Sequence, residues 1–315
     1  MKALLHYRAS RGFRQRLAEI IPDWLSISVV DEDDDAGLER ELRDTDVLLH
    51  VLKPVTDAMI RSAPNLRLIQ KIGVGVNTID LAAARNHGIA VANMPGTNSQ
   101  AVAELTLTLM LAVLRRLTVL DRQTRLGKGW SIADETIDTM GEICGRTVGL
   151  IGYGEIARRL TPVLQAMGAK VLYFSRTPKP EATAEYTALI ELLRHSDIVS
   201  LHVPQTKETE NLINEHTIQC MRKGAVLINT ARGGLVDESA LIAALKSGHL
   251  SGAGLDTFAV EPTPENNPLL ALDNVVLTPH LAWLTPETLA RSLQVAIENC
   301  DRLRQGLDLI NQVEI

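Results

Sequence analysis

The feature that most constrains this chain is an alternation, met twice, of short β-rich runs with helical segments. From residue 2 to about 93 the runs ALLHY, SISVV, DVLLHV, LRLIQKIG and IAVAN are separated by helical patterns such as TDAMIRSA and TIDLAAARNHG. That order predicts an α/β, doubly wound parallel sheet. A turn-rich link, NMPGTNSQ, leads into AVAELTLTLMLAVLRRLTVL, whose length and apolar character predict one long buried helix bridging to a second domain. A second alternation follows: TVGLIG, KVLYFS, DIVSLHV, AVLINT, GAGLDTF and NVVLTPH, six strands of a dinucleotide-type fold. The helix EIARRLTPVLQAMG is expected to bury Ile156, Leu160, Val163, Leu164 and Met167 and to close at Gly168. In TPETLARSLQVAIENCDRLRQG, Thr285 is the expected N-cap and Pro286 opens the first turn of a helix that returns to the first domain.

With 315 residues and 45% apolar content, two domains can each bury a core. A net charge of −6, from 32 basic and 38 acidic residues, is too mild and too mixed to draw the chain to nucleic acid or a membrane, so a small-molecule substrate is expected. Cys144, Cys220 and Cys300 are far apart and in no metal or redox spacing, which argues against disulfides and zinc and places the protein in the cytoplasm. No apolar run is long enough to span a bilayer, and the N-terminus does not read as an export signal. The acidic run Asp31 to Asp35 reads as a solvated loop after a strand.

In an open parallel sheet ligands bind beyond the carboxyl ends of the strands, so the residues at strand tips carry the functional information. The first tip of the second domain reads Gly152-Tyr153-Gly154-Glu155-Ile156-Ala157. Glycines there permit a tight turn and close approach of backbone amides to a pyrophosphate, and the following helix N-terminus adds donors and partial positive charge. The next tip is Ser175-Arg176-Thr177, with no carboxylate where a bare adenosine ribose would be bound. Hydroxyls and a guanidinium suit a 2′-phosphate, so NADP is the preferred cofactor and NAD remains possible. The alternative is that Arg176 is an ordinary exposed arginine and both cofactors serve.

Carbonyl reduction by a nicotinamide needs a proton donor and a grip on the substrate as well as a hydride. Three successive tips offer them. Arg232, in NTARGGLVDESAL, has the planar fork that suits a carboxylate. Glu261, in FAVEPTPENNPLL, and His280, in TPHLAW, form a candidate acid–base pair, since a carboxylate on the imidazole favours its protonated form. Glu261 reads equally as a turn residue before Pro262.

The segments GLIGYGEIARRL, LINTARGGLVDESALIAALKSGHLSGAGLDTFAVEPTPENNPLL and VVLTPHLAW resemble the D-isomer-specific 2-hydroxyacid dehydrogenase family, and the likeness runs essentially from end to end. The resemblance implies a Rossmann cofactor domain, residues 100–285, inserted in a discontinuous flavodoxin-like substrate domain, residues 1–99 and 286–315. It implies a catalytic trio of Arg232, Glu261 and His280, with Asp256 on the nicotinamide carboxamide. Thr230, Ala231 and His202-Val203-Pro204 would line the cofactor, with Thr209 near it. It also implies a homodimer paired through the cofactor domain, with the helix beginning near Ala101 as the interface candidate.

In QKIGVGVNTID, Gly73 and Gly75 allow close backbone approach, and the amides of Val74 and Gly75 are candidates to bind the substrate carboxylate opposite Arg232. The alternative is an ordinary tight turn. Asn77 stands where the family more often has aspartate. Lys53, at another strand tip, is a further candidate for substrate contact, and Trp283 either walls the side-chain end of the pocket or packs at the domain junction. The expected activity is NAD(P)H-dependent reduction of small 2-oxo acids, glyoxylate or hydroxypyruvate, to D-2-hydroxy acids, in a cleft that closes on the ternary complex. The alternatives are a phosphoglycerate dehydrogenase, which would want more cationic residues at the substrate, and a cofactor-sensing corepressor-like binding protein. Formate and phosphite oxidation fit less well, because the resemblance places Gln and Lys in those enzymes where Glu261 and Val74 stand here.

Overall fold

The computed structural model describes residues 1–315 except for the side chain of Glu135. It divides into two units, Met1–Asn98 with Leu284–Ile315, and Ser99–Trp283.

The first unit begins with β1 (Lys2–His6), α1 (Arg11–Ile20), β2 (Ser26–Val30), α2 (Asp35–Leu42), β3 (Val47–His50), α3 (Asp57–Arg61), β4 (Leu68–Lys71), α4 (Leu81–Asn86) and β5 (Ala90–Ala92). The sheet order is β2-β1-β3-β4-β5, all parallel. Helices on a parallel sheet leave its central strands no wet face, and every residue of β3 and β4 is buried. Each helix starts on a side-chain cap: Ser10, Asp34, Thr56 and Asp80 accept from the amides of Phe13, Gly37, Met59 and Ala83.

The second unit runs α5 (Ser99–Leu114), α6 (Leu117–Arg125), α7 (Asp134–Asp138), β6 (Thr147–Ile151), α8 (Glu155–Ala166), β7 (Lys170–Phe174), β8 (Glu185–Tyr186), α9 (Leu189–His195), β9 (Ile198–Leu201), α10 (Glu215–Cys220), β10 (Ala225–Asn229), α11 (Glu238–Ser247), β11 (Leu250–Leu255) and β12 (Val275–Leu277). Its parallel sheet has the order β12-β11-β10-β9-β6-β7-β8, with the switch in winding direction between β6 and β9. There are seven strands rather than six. The extra one, β8, is two exposed residues on the edge, too short and too polar for an apolar pattern to reveal.

Two helical expectations fail for local reasons. The single helix over residues 101–120 is two helices, broken at Arg116, which adopts left-handed geometry at φ 52. The amide of Gly141 bonds the carbonyl of Leu114 at 2.9 Å, an acceptor that a continuing helix would have used itself. On α8, Val163 is 43% exposed, and the buried face is completed by Ala157 and Thr161. Among the described residues no helix is long and apolar enough to cross a membrane.

The chain ends with α12 (Pro286–Gln305), in which Thr285 caps the amide of Thr288, Pro286 occupies the first turn and Gly306 closes the helix at φ 71. It lies on the first unit through Asn299, which is fully buried. The Asn299 amide nitrogen donates to Gln70 Oε1 at 2.6 Å and to the carbonyl of Ile310 at 3.0 Å, while its oxygen accepts from the amide of Ile310 at 2.7 Å. Asn299→Ala would strand these groups, and it is expected to cost about 2–3 kcal/mol, read as a lower denaturant midpoint.

Candidate active site

The glycine-rich turn is built around one backbone conflict. Gly152 sits at φ 98, and a Cβ added there would stand 2.4 Å from the carbonyl oxygen of His202, so a side chain is refused by both strain and space. Its amide donates to Phe174 O at 2.8 Å, tying the end of β6 to the end of β7. Gly154 is the N-cap of α8, and a Cβ there would meet nothing within 4 Å, so the turn leaves open space beside the amides of Glu155 and Ile156. An anionic pyrophosphate fits such a cradle of donors. His202, whose carbonyl closes on Gly152, carries a neutral ring: burial pushes its pKa down to about 4, its Nε2 shares a 2.9 Å hydrogen bond with Ser200, and its buried Nδ1 has no partner among the described residues.

The other residues expected at the cofactor occupy the same edge. Ser175 donates to Thr177 O at 2.7 Å, and Arg176 and Thr177 are exposed. Val203 and Pro204 follow β9, and Thr209 donates to Pro204 O at 2.7 Å while accepting from the amide of Thr206 at 2.8 Å, so it braces the loop. Thr106 gives its proton to Val102 O, which makes buried Thr230 the donor in the 2.8 Å contact between the two hydroxyls. The amide of Ala231 is held by Asn229 Oδ1 at 3.0 Å.

Arg232, Glu261 and His280 come from the tips of three neighbouring strands, β10, β11 and β12. His280 Nδ1 meets Glu261 Oε2 at 2.6 Å, and Glu261 Oε1 accepts from the amide of Phe258 at 2.9 Å. Burial pushes the Glu261 carboxyl up, but the hydrogen bonds of His280 and Phe258 and the charges of His280 and Arg232 more than reverse it, leaving its pKa below the ordinary carboxylate value. The carboxylate is thus ionised at neutral pH and fixes Nδ1 as the protonated ring nitrogen, which frees Nε2 for chemistry. Arg232 is lowered from the usual arginine value by burial, against the opposing pull of Glu261, so its guanidinium is poorly solvated and short of anionic partners.

Asp256 has a role that its place at a strand tip did not reveal. Its fully buried carboxylate accepts from Thr278 Oγ1 at 2.6 Å and from the amides of Leu281 and Ala282 at 2.9 Å each, and its carbonyl accepts from the amide of His280 at 2.8 Å. It shapes the turn in which His280 takes φ 55. Asn229 does the same for Arg232, donating to its carbonyl at 2.8 Å. Glu238 holds the Glu261 loop, accepting from the amide of Ala259 at 3.2 Å and from Asn267 Nδ2 at 2.8 Å. Only Asn229 carried a sequence signal for this, a polar side chain closing an otherwise apolar buried strand.

In the first unit, Gly73 takes φ 134, and the amides of Val74 and Gly75 have no hydrogen-bond partner among the described residues. Asn93 donates to Val74 O at 2.9 Å. Lys53 is held by the Asp35 carboxylate and donates to Glu32 O at 2.8 Å. Trp283 is buried, at 9% exposure.

A dinucleotide-type sheet bearing a carboxylate-paired histidine and a desolvated arginine on adjoining tips defines a nicotinamide-dependent dehydrogenase. The model of the family described as "D-isomer specific 2-hydroxyacid dehydrogenase, NAD binding domain" matches residues 107–282, and the chain belongs to that family of NAD-dependent oxidoreductases. It is 42% identical over 275 residues to a glyoxylate reductase of Thermofilum pendens, covering 85% of this chain and 81% of that protein. It is 39% identical over 262 residues to a D-3-phosphoglycerate dehydrogenase of Archaeoglobus fulgidus, covering 82% of this chain and 49% of that protein. The crystal structure of the TT0316 protein from Thermus thermophilus is similar over the whole of both chains, at 37% identity and a TM-score of 0.88.

Gly152→Ala is expected to weaken nicotinamide-dinucleotide binding by at least roughly tenfold and to destabilise the second unit by upward of about 1 kcal/mol, since a left-handed backbone and a carbonyl contact both oppose the methyl group. Fluorescence titration and a denaturation curve measure the two effects.

Proposed function

We propose that this protein reduces small 2-oxo acids, glyoxylate or hydroxypyruvate, to D-2-hydroxy acids, with NADPH preferred over NADH, in the cytoplasm. The observation that carries this reading is the 2.6 Å contact between His280 Nδ1 and a Glu261 carboxylate that is itself fixed by the amide of Phe258. That pair is prepared to give up a proton from Nε2.

The cradle of Gly152, Tyr153, Gly154, Glu155 and Ile156 takes the pyrophosphate, Ser175, Arg176 and Thr177 take the ribose phosphate, and His202, Val203, Pro204, Thr209, Thr230, Ala231 and Asp256 line the nicotinamide end. When bound, the nicotinamide supplies a hydride to the substrate C2. Arg232 pairs with the substrate carboxylate through its planar fork, and the charge that burial leaves unsatisfied makes that anion a favoured ligand. His280 passes the Nε2 proton to the carbonyl oxygen as it gains electrons, and hydride plus proton complete the alcohol. Glu261 remains ionised throughout and stabilises the charged imidazole before transfer. The free amides of Val74 and Gly75 are the first unit's own anion-binding groups. Lys53 of the first unit is already paired with Asp35 and has no spare charge for a phosphorylated acid, and we favour the smaller unphosphorylated acids. The glyoxylate reductase name of a relative 42% identical supports the same choice.

We assign a homodimer to the same reading, on the later part of the expected stretch and the segment beyond it, α6 to α7, rather than on α5. The candidate α5 spends its apolar side chains in its own core, among them Leu109, Met110 and Val113. No side chain of α6 is buried, and Leu117, Leu126, Trp130 and Ile137 are 55%, 63%, 97% and 49% exposed. A second copy would cover this apolar series.

His280→Ala is expected to lower kcat by at least about 10³-fold while leaving the Kd for NADPH nearly unchanged, and retained turnover of glyoxylate would reject the assignment. Assayed across 2-oxo acids with both cofactors, the wild type should favour glyoxylate or hydroxypyruvate with NADPH. Paired changes Leu126→Lys and Trp130→Ser should convert a dimer to a monomer by light scattering. A wild-type monomer would rule out the assembly.

A further inference from the structure

The loop that carries Ser175, Arg176 and Thr177 leaves β7 one residue after Tyr173, and Tyr173 reaches forward to hold it. Its hydroxyl accepts from the amide of Lys179 at 2.8 Å and donates to the carbonyl of the same residue at 3.3 Å. The loop is therefore closed on itself by one side chain, with the 2.7 Å bond from Ser175 to Thr177 O inside the closure.

Tyr173 is itself packed on both sides. It is 2% exposed, its ring lies 4.3 Å from that of Tyr153, and Tyr186 meets it edge-on at 5.6 Å and 70°. Tyr153, 5% exposed, is the middle residue of the Gly152-Tyr153-Gly154 turn. A tilted ring pair, at 36°, thus joins the glycine-rich turn to the loop beyond β7, and the hydroxyl is the polar end of that join.

We propose that the Tyr173 hydroxyl is a positioning group that sets the preference for a phosphorylated over an unphosphorylated adenosine ribose. The inference rests on the reading of residues 175–177 as the 2′-phosphate site. A doubly charged phosphate gains most from donors already fixed in place, because ordering a loop at the moment of binding subtracts from affinity. NADH presents no group to those donors and does not depend on their fixity. Tyr173 touches neither cofactor nor substrate. It acts through the geometry of Arg176 and Thr177.

Tyr173→Phe removes one oxygen and keeps the ring and its two aromatic contacts, so the core that holds it is preserved. Kd values for NADPH and NADH, from fluorescence titration, are compared among the wild type, Tyr173→Phe, Arg176→Ala and Tyr186→Phe, the last removing a hydroxyl from the same ring cluster without touching the loop. The expected result for Tyr173→Phe is a roughly fivefold rise in the NADPH constant with the NADH constant held within about twofold, in line with the loss of one net hydrogen bond. Tyr186→Phe should move neither. Equal weakening of both cofactors would make Tyr173 a support of the domain alone and overturn the proposal, as would no change. If Arg176→Ala abolishes the preference while Tyr173→Phe leaves it intact, the phosphate site stands and the role of Tyr173 falls. A wild type with no preference for NADPH overturns the site and the inference together.

Discussion

A buried carboxylate with no lysine or arginine paired to it among the described residues holds the carboxyl edge of the second sheet together. Burial raises the Asp256 pKa, and hydrogen bonds from Thr278, Ala282 and Leu281, with the charge of His280, work against that rise. Those donors belong to the turn that carries His280, so the same bonds that stabilise the anion dictate the path of the chain. The φ of 55 at His280 is a conformation that a β-carbon disfavours, and it persists because this set of bonds over-determines it. From there the order of constraint is plain. Asp256 fixes where the imidazole starts, Glu261 fixes how it is turned, and Nε2 is the atom left without a structural task.

Arg232 joins this arrangement through a steric limit. A Cβ added at Gly233 would stand 1.8 Å from the carbonyl oxygen of Phe258, so the turn after β10 lies directly against the backbone that presents Glu261. Only glycine permits that approach, and it brings Arg232 close enough for its charge to be felt by the Glu261 carboxylate. Glu238 anchors the other side of the loop from the start of α11. Consecutive strands in a parallel sheet place their tips side by side, so residues 29 and 19 positions apart in sequence converge with no long-range coincidence needed. The topology supplies the neighbourhood, and a glycine and three carboxylates supply the geometry.

Much of this was legible because the sheet is parallel. Strands buried on both faces write themselves as apolar runs, and the polar residues that end those runs, Arg232 after AVLIN and His280 after VVL, mark the edge where ligands bind. What escaped the pattern was local. β8 is two residues long, the left-handed break at Arg116 falls inside a helical pattern, and the exposure of Val163 depends on what packs over α8. The bracing residues escaped for another reason. Thr209 was expected near the cofactor and Asp256 on it, yet Thr209 satisfies backbone groups of its own loop and Asp256 those of the turn after β12, 25 residues on, partners that only the folded turns reveal. Lys53 shows the converse, since an acidic run that reads as a solvated loop supplies the carboxylate that neutralises it.

The two sheets handle buried polarity by one rule. In the first unit His6, His50 and Lys71 stand in register at the carboxyl ends of β1, β3 and β4, each almost fully buried. Burial and the nearby charges of Lys71 and His6 push the His50 pKa to about 2, so it is a neutral partner of Thr78 at 2.8 Å. Burial likewise lowers His6. Such groups cost stability wherever they lie, and a sheet interior tolerates them least. They gather at the carboxyl edge because the strands end there and loops with spare carbonyls and hydroxyls begin, as Lys71 shows by donating to Val51 O. In the second unit the same edge holds His202, Thr230 and Asp256, now accompanied by a glycine turn that opens onto space. At Gly154 a Cβ would meet nothing within 4 Å, and the proposed cofactor reading rests on that open turn standing at the N-terminus of α8.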